Sequence, residues 1–218
     1  CRYLDANTPD GSWKILQPRE RNLEYSADHA GGQWYIRTNL NAQNFRLMTT
    51  PEGKTSKENW TEIIPHRNNV LLENFELFKN YLVIAERIEG IRNIRIKSWD
   101  GKDDHYVNFG EQAYVAYTFS NPAYETDKVR INYQSLTTPS TVYDYDMPSR
   151  RLQTMKQQEV LGGFDKNNYQ SERIYATAKD GSRVPISLVY RKGFQKDGHQ
   201  PLLLYAYGSY GYSLDPAF

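Results

Sequence analysis

Residues 13–39 read WKILQPRERNLEYSADHAGGQWYIRTN, and residues 60–86 read WTEIIPHRNNVLLENFELFKNYLVIAE. The two stretches start 47 residues apart, and the same offset carries Pro18 to Pro65, Arg19 to His66 and Trp34 to Tyr81. A weaker third copy, VRINYQS, starts at Val129, 48 residues beyond Tyr81. Self-similarity at such a period marks stacked supersecondary units, each too small to bury its own faces. Every copy repeats one event: a strand, a polar turn, a second strand. The first strands are expected at 34–39, 82–87 and 129–135, and the second at 45–49, 94–99 and 141–146. In YLVIAERIEGIRNIRIKSWDG (81–101) apolar residues alternate on both sides of Gly90, as in a hairpin. About four short strands per copy read as blades of a β-propeller. Residues 1–158 hold about three to three and a half blades, whereas a closed propeller typically needs about four to eight. The fold class expected is therefore mainly β, with a partial propeller. The dipeptide Trp99–Asp100 does not indicate a WD40 array, because its Gly-His companion is missing. Thr55 followed by Glu58 resembles a capping box, so a short helical turn is expected before Trp60.

Composition narrows the function classes. The chain has 218 residues, a formal charge of +1 and 18 tyrosines, an aromatic-rich balance that favours strands. Cationic and anionic residues are scattered, so the electrostatic footprint of a nucleic-acid or anionic-membrane binder is absent. A single cysteine, Cys1, excludes an internal disulfide framework and a cysteine-based metal site. It fits a reducing compartment, so a cytoplasmic location is expected, with the periplasm as the alternative. No apolar run approaches the roughly 20 residues that span a bilayer. Neither a metal nor a cofactor is called for.

After residue 158 the blade rhythm stops. QQEVLGGFDKNNYQSER (157–173) contains Gly162–Gly163 and a polar run, and 159–172 is the expected linker. RIYATAKDGSRVPISLVYRKG (173–193) then reads as a hairpin around Asp180–Gly181, a pair that favours a type I′ turn. Val184, Ile186 and Leu188 share one face, and Pro185 points to an edge strand. QPLLLYAYG (200–208) has no alternation, the pattern of a strand buried on both faces. Residues 173–218 thus read as the start of an α/β sheet that is begun and not completed.

At these residues a resemblance appears. QSERIYATAKDGSRVPISLVYRKG (170–193) followed by PLLLYAYGSYGYSLDPAF (201–218) closely resembles the oligopeptidase B (protease II) branch of the prolyl oligopeptidase family of serine peptidases. YSADHAGGQWYIRTNLNAQNFRLM (25–48), NWTEIIPHR (59–67), SLTTPSTVYDYDM (135–147) and KQQEVLGGFD (156–165) are similar to that family's propeller segments. The resemblance implies an α/β-hydrolase domain carrying a Ser/Asp/His triad, capped by a seven-bladed propeller that admits only short peptides. It also implies cleavage after Lys or Arg. This chain would be an internal piece: later blades, linker and first hydrolase strands.

A nucleophilic serine of this kind needs a G-x-S-x-G elbow with acid and histidine downstream. None occurs: YGSYG places Ser209 on the wrong spacing, and Ser182 falls in a hairpin turn. His29, His66, His105 and His199 read as ordinary surface or loop histidines. The chain alone is therefore expected to be inactive. What the resemblance leaves is half an oxyanion hole. Tyr207, at the end of the 202–207 strand, would donate its phenolic hydroxyl to the tetrahedral intermediate. Tyr210 would line the pocket for the residue before the cleaved bond, offering a Lys or Arg side chain about 0.5–2 kcal/mol of cation–π attraction. Gly208 and Gly211 would supply positive φ or close backbone approach. The partners expected are short peptides containing Lys or Arg, with self-association through open sheet edges as a further expectation. A non-catalytic, propeller-like protein-binding module is the alternative; the broken sheet pattern after residue 172 is what it does not explain.

Overall fold

The computed structural model describes residues 1–218, which form sixteen strands and two isolated 3-10 turns. It divides into two units, Cys1–Leu77 and Phe78–Phe218. No helix is long and apolar enough to cross a membrane.

In the first unit β1 (Arg2–Tyr3) pairs with β2 (Lys14–Ile15). A four-stranded antiparallel sheet follows, in the order β3 (Tyr25–Ala30), β4 (Gln33–Thr38), β5 (Arg46–Pro51) and β6 (Thr61–Ile64). Ala30 faces Gln33 across a two-residue turn, Gly31–Gly32, with φ of 58° and 74°. Positive φ at both central residues is the type I′ requirement, whose twist matches the flanking strands. On β4 the side chains of Trp34, Ile36 and Thr38 point inward, the alternation a half-buried strand requires. Trp34 and Ile36 meet Leu16, Met48 and Trp60 in one cluster, with Tyr3 and Tyr25 packed against it. β7 (Val70–Leu77) is tied to this sheet by Leu72, whose N–H donates to Asn44 O (3.0 Å) and whose carbonyl accepts from Arg37 Nε (2.7 Å). The expected turn before Trp60 is the 3-10 segment Lys57–Asn59, but no capping box forms. Ser56 stands at the N-cap with its hydroxyl taken by Asn59 Nδ2 at 2.9 Å. The N-cap falls on Ser56, one residue after Thr55, so Glu58 stands at N2 rather than at the N3 position from which a capping box is made.

The second unit begins with β8 (Tyr81–Ile88), β9 (Ile91–Ser98) and β10 (Asp104–Tyr106), paired consecutively. A meander follows: β11 (Tyr114–Thr118), β12 (Lys128–Ser135), β13 (Thr138–Asp146) and β14 (Arg151–Gln157). One parallel bridge, Val115 to Arg92, joins β11 to β9. The hairpins β4–β5, β8–β9 and β12–β13 are the pairs expected from the sequence period, each within a few residues of its expected limits. The sheets do not close into a ring, as a partial propeller requires. The core of this unit is built from Val83, Ala85, Ile94, Ile96, Val129, Ile131 and Tyr133.

One acid lies wholly inside it. Glu86 is fully buried, accepting from Tyr106 Oη and from Arg95 Nη1 at 3.4 Å. Arg95 also grips Asp104 with two bonds, at 2.6 and 2.7 Å, and Lys97 reaches the same carboxylate at 3.2 Å. The paired Arg95 guanidinium holds the Asp104 carboxyl below its usual range.

After β14 a second 3-10 turn, Lys166–Asn168, is capped by Asp165, whose side chain accepts from Asn167 N–H. β15 (Tyr169–Thr177) and β16 (Arg183–Arg191) then form the expected hairpin, with Pro185 opposite Tyr175. Its turn is not type I′. Gly181 has φ 85° while Asp180 stays out of the left-handed region, and Gly181 N–H bonds Ala178 O at 3.0 Å. The Ala178 N–H to Ser182 O bond closes a three-residue loop, the type I turn plus left-handed glycine that is the next commonest hairpin form.

The larger correction concerns residues 202–207. No strand forms there, and Leu203 is 89% exposed, with Leu202 and Leu204 exposed beside it. A strand buried on both faces acquires its state from neighbours on each edge and covering layers on each side. No strand of this chain supplies them.

Because the Asp104 pKa is lowered by folding, its contribution is complete above the unfolded value near 4 and is lost as pH falls through the folded value. Asp104→Asn should therefore lower urea stability at pH 7, and the gap to the parent chain should shrink as pH drops below about 4. A gap independent of pH would exclude the ion pair as its source.

Candidate functional site around the tyrosine turn

The four tyrosines between residues 205 and 212 sit on a turn that the chain builds locally. Tyr212 N–H donates to Ser209 O at 3.0 Å, and the two residues between, Tyr210 and Gly211, have φ of 52° and 64°. This is again the I′ arrangement, preceded by Gly208 at φ 77°. The glycines behave as their sequence positions suggest. Tyr210 was not foreseen in the left-handed region, where a side chain costs roughly 1–2 kcal/mol. Tyr207 and Tyr212 meet across the turn edge-to-face, with ring centroids 5.6 Å apart and planes at 83°. Tyr207 is 58% exposed and Tyr210 95% exposed, so the turn offers two accessible phenols and no enclosed pocket.

Beyond this turn the chain docks. Asp215 Oδ1 accepts from Arg87 Nη1 at 2.6 Å, and that nitrogen also donates to Gly90 O at 2.8 Å. Pro216 is buried, Phe218 N–H reaches Gln134 Oε1 at 3.3 Å, and the Phe218 ring meets Phe164 edge-on at 4.9 Å. The β8–β9 turn is held from another side. Its residues Glu89 and Gly90 have φ of 48° and 82°, making it type I′. Arg173 of β15 donates to Glu89 O, and Tyr175 donates its hydroxyl to the Glu89 carboxylate. One hairpin tip thus receives both β15 and the segment after the tyrosine turn. Sequence reading located this turn through Gly90 but missed Arg87, Glu89, Arg173, Tyr175 and Asp215 as partners. The contacts join residues 84 to 128 positions apart, and no local spacing announces them.

The other candidates are dispersed. His29 lies 3.6 Å from Glu52, and His199 is on an exposed loop. His105 departs from the expected loop histidine: it stands on β10, with Nδ1 2.9 Å from Asp103 and Nε2 2.7 Å from Tyr145 Oη. Burial pushes the Tyr145 phenol up to about 12. Both ring nitrogens are engaged between strands and the phenol is buried, so this row is structural wiring. Ser182 lies in the hairpin loop and Ser209 in the tyrosine turn, neither beside a histidine. No group of three His, Cys, Asp or Glu side chains is arranged to hold a metal ion.

Residues 1–158 match the family model described as prolyl oligopeptidase, N-terminal beta-propeller domain. The chain is 44% identical to dipeptidyl aminopeptidase BI from Pseudoxanthomonas mexicana, covering all of this chain and 30% of that protein. It is 29% identical to protease 2 from Moraxella lacunata, over 99% of this chain and 31% of that one. Among solved structures, oligopeptidase B from Leishmania major superposes with a TM-score of 0.84 at 34% identity, covering 95% of this chain and 30% of the other. Oligopeptidase B from Trypanosoma brucei, solved in a closed form with covalently bound antipain, gives 0.87 at 29% identity, covering 100% and 32%. The chain therefore spans about 30% of the length of the curated relatives it matches.

Gly32→Ala meets only backbone strain, since nothing lies within 4 Å of the added carbon. At Gly90 the same carbon comes 3.2 Å from Arg173 Nη2. Both should destabilise by about 1–2 kcal/mol through φ alone, and Gly90→Ala by more. Only Gly90→Ala should also speed amide exchange in β15, measured by hydrogen–deuterium exchange; equal exchange in the two variants would detach β15 from the turn.

Proposed function

The chain belongs to the prolyl oligopeptidase family, and from that premise we propose that it forms propeller blades and the first strands of the hydrolase domain of a serine oligopeptidase. The intact protein cleaves short peptides after Lys or Arg, and its propeller gates entry to the active site. In this reading 1–158 are blades, 159–172 the linker and 173–218 the beginning of the peptidase domain. The observation that carries it is the extent of the likeness. Similarity to an oligopeptidase B bearing a covalent inhibitor continues past residue 158, through the tyrosine turn, to the whole chain. The location that the lone Cys1 fits is the cytoplasm.

The parts played by this chain's residues follow from chemistry. A tyrosine at neutral pH is an uncharged donor, so Tyr207 lends a hydrogen bond to an oxyanion without a counter-charge to desolvate. Its exposure leaves the hydroxyl free to face a reacting carbonyl brought by the rest of the protein. Tyr210 presents a ring face to a cationic side chain. The neighbouring strands that the Leu202–Leu204 run needs belong to the remainder of the hydrolase sheet. The chain holds no nucleophile beside a histidine, so it performs no hydrolysis alone. Open sheet edges make self-association of the isolated chain the expected behaviour.

Identity of 44% to a protein named a dipeptidyl aminopeptidase favours a second reading, release of dipeptides from a free amino terminus. Reporter peptides decide between them in the full-length protein. Cleavage after Lys or Arg in amino-blocked peptides supports the first reading; turnover confined to free-amino dipeptidyl reporters supports the second. Absence of both sinks the enzyme in favour of a binding module. Tyr207→Phe should lower kcat by about 100- to 1000-fold with KM nearly constant, the usual loss for one oxyanion donor. An unchanged kcat removes Tyr207 from the chemistry. The 218-residue chain should show no serine-inhibitor-sensitive turnover of the same reporters.

A further inference from the structure

We infer that Arg87, a residue of the propeller hairpin β8–β9, positions the oxyanion tyrosine: through its ion pair with Asp215 it fixes the Tyr207–Tyr212 turn in place. The inference rests on the reading of Tyr207 just given.

The contrast along the C-terminal segment motivates it. Residues 201–214 are exposed, whereas Asp215 is half-buried and Pro216 buried. The point where the segment becomes anchored is the ion pair. Its side chains are 12% exposed at Arg87 and 25% at Asp215, sheltered enough to escape most salt screening. Arg87 is itself held in place: it sits opposite Arg92 in the β8–β9 ladder, and Nη1 also donates to Gly90 O at 2.8 Å. The Gly90 turn is in turn gripped by Arg173 and Tyr175 through Glu89. Arg87 is thus a rigid post.

Its reach to Tyr207 is short. Asp215 follows Tyr212 by three residues, and three residues of chain span at most about 10 Å. Fixing Asp215 confines Tyr212 to that radius. Tyr212 then fixes Tyr207 twice, by the hydrogen bond to Ser209 O that closes the turn and by the edge-to-face ring contact. An oxyanion donor works only when its hydroxyl lies within about 0.5 Å of the productive position, so an anchor of this kind acts on the rate constant rather than on binding. The propeller therefore does more than limit access: one of its hairpins is part of the support of the catalytic centre.

The test uses the full-length protein with the best reporter peptide. Arg87→Gln, Asp215→Asn and the pair are made both with Tyr207 present and with Tyr207→Phe. Each single variant should lower kcat about 10-fold with KM within about twofold, and the pair should be no worse than either. Arg87→Lys should restore part of the loss. In the Tyr207→Phe background the same substitutions should have no further effect, a result that general destabilisation would not give. Should Arg87→Gln fail to fold, Asp215→Asn carries the same comparison, with thermal melting as the check. Folded variants with unchanged kcat overturn the inference, as does a loss that persists undiminished without the Tyr207 hydroxyl. A normal loss at Tyr207 with none at Arg87 and Asp215 defeats this inference alone. No loss at Tyr207 defeats the oxyanion reading first and this inference with it.

Discussion

The Glu89–Gly90 turn is the constraint on which the second unit depends. Both residues are left-handed, so the hairpin closes in two residues with Ile88 opposite Ile91. Register in a β-hairpin is unforgiving, because a slip of one residue sends every side chain to the other face. With this register Val83 and Ile96 fall opposite each other, and Ala85 opposite Ile94, all facing the core. The same tip then serves as the seat for β15 and, through Arg87, for Asp215. A turn that fixes pairing on one side and docks two segments on the other leaves little freedom for either.

Charge is handled inside this framework by saturation. Fully buried, Glu86 is tolerable because Tyr106 and Arg95 share it, and Arg95 is itself divided between Glu86 and Asp104. Breaking such a row leaves a charge stranded in low dielectric, which is far costlier than the net gain of forming it. The Arg87–Asp215 pair follows the same logic at a more open site. In both places the cation comes from a strand and the geometry of the strand decides where the anion must be.

Much of this was legible beforehand for a physical reason. Repeat period and hairpin position follow from side-chain alternation and from the few residues that tolerate positive φ. The alternation in 81–101 declares the faces of β8 and β9, and Gly90 declares the turn between them; Gly31–Gly32 supplies the β3–β4 turn in the same way without having been singled out. The Asp180–Gly181 pair looked equally clear, yet only Gly181 turned left-handed, since one added residue let a type I turn close the loop. Leu202–Leu204 misled in the opposite direction: hydrophobicity states a preference for burial, while burial itself depends on what the rest of the chain supplies. The tyrosine turn was visible, its anchor was not. Tyr207 and Tyr210 stood out in their turn, but Arg87 and Asp215, 128 positions apart, become partners only once the sheet is folded.

The exposed Leu202–Leu204 run has a consequence for how such a chain is made. Residues before it can complete their blades locally, since their strands pair with near neighbours in sequence. The leucines find no such partner among these strands and stay exposed as an apolar flag. An apolar run in that state is where a chain is open to aggregation and to capture by holding chaperones. Polar substitution of the run would remove that stickiness, but under the reading of 173–218 proposed above it would also remove the side chains that a sheet would bury, so liability and use rest on the same three leucines.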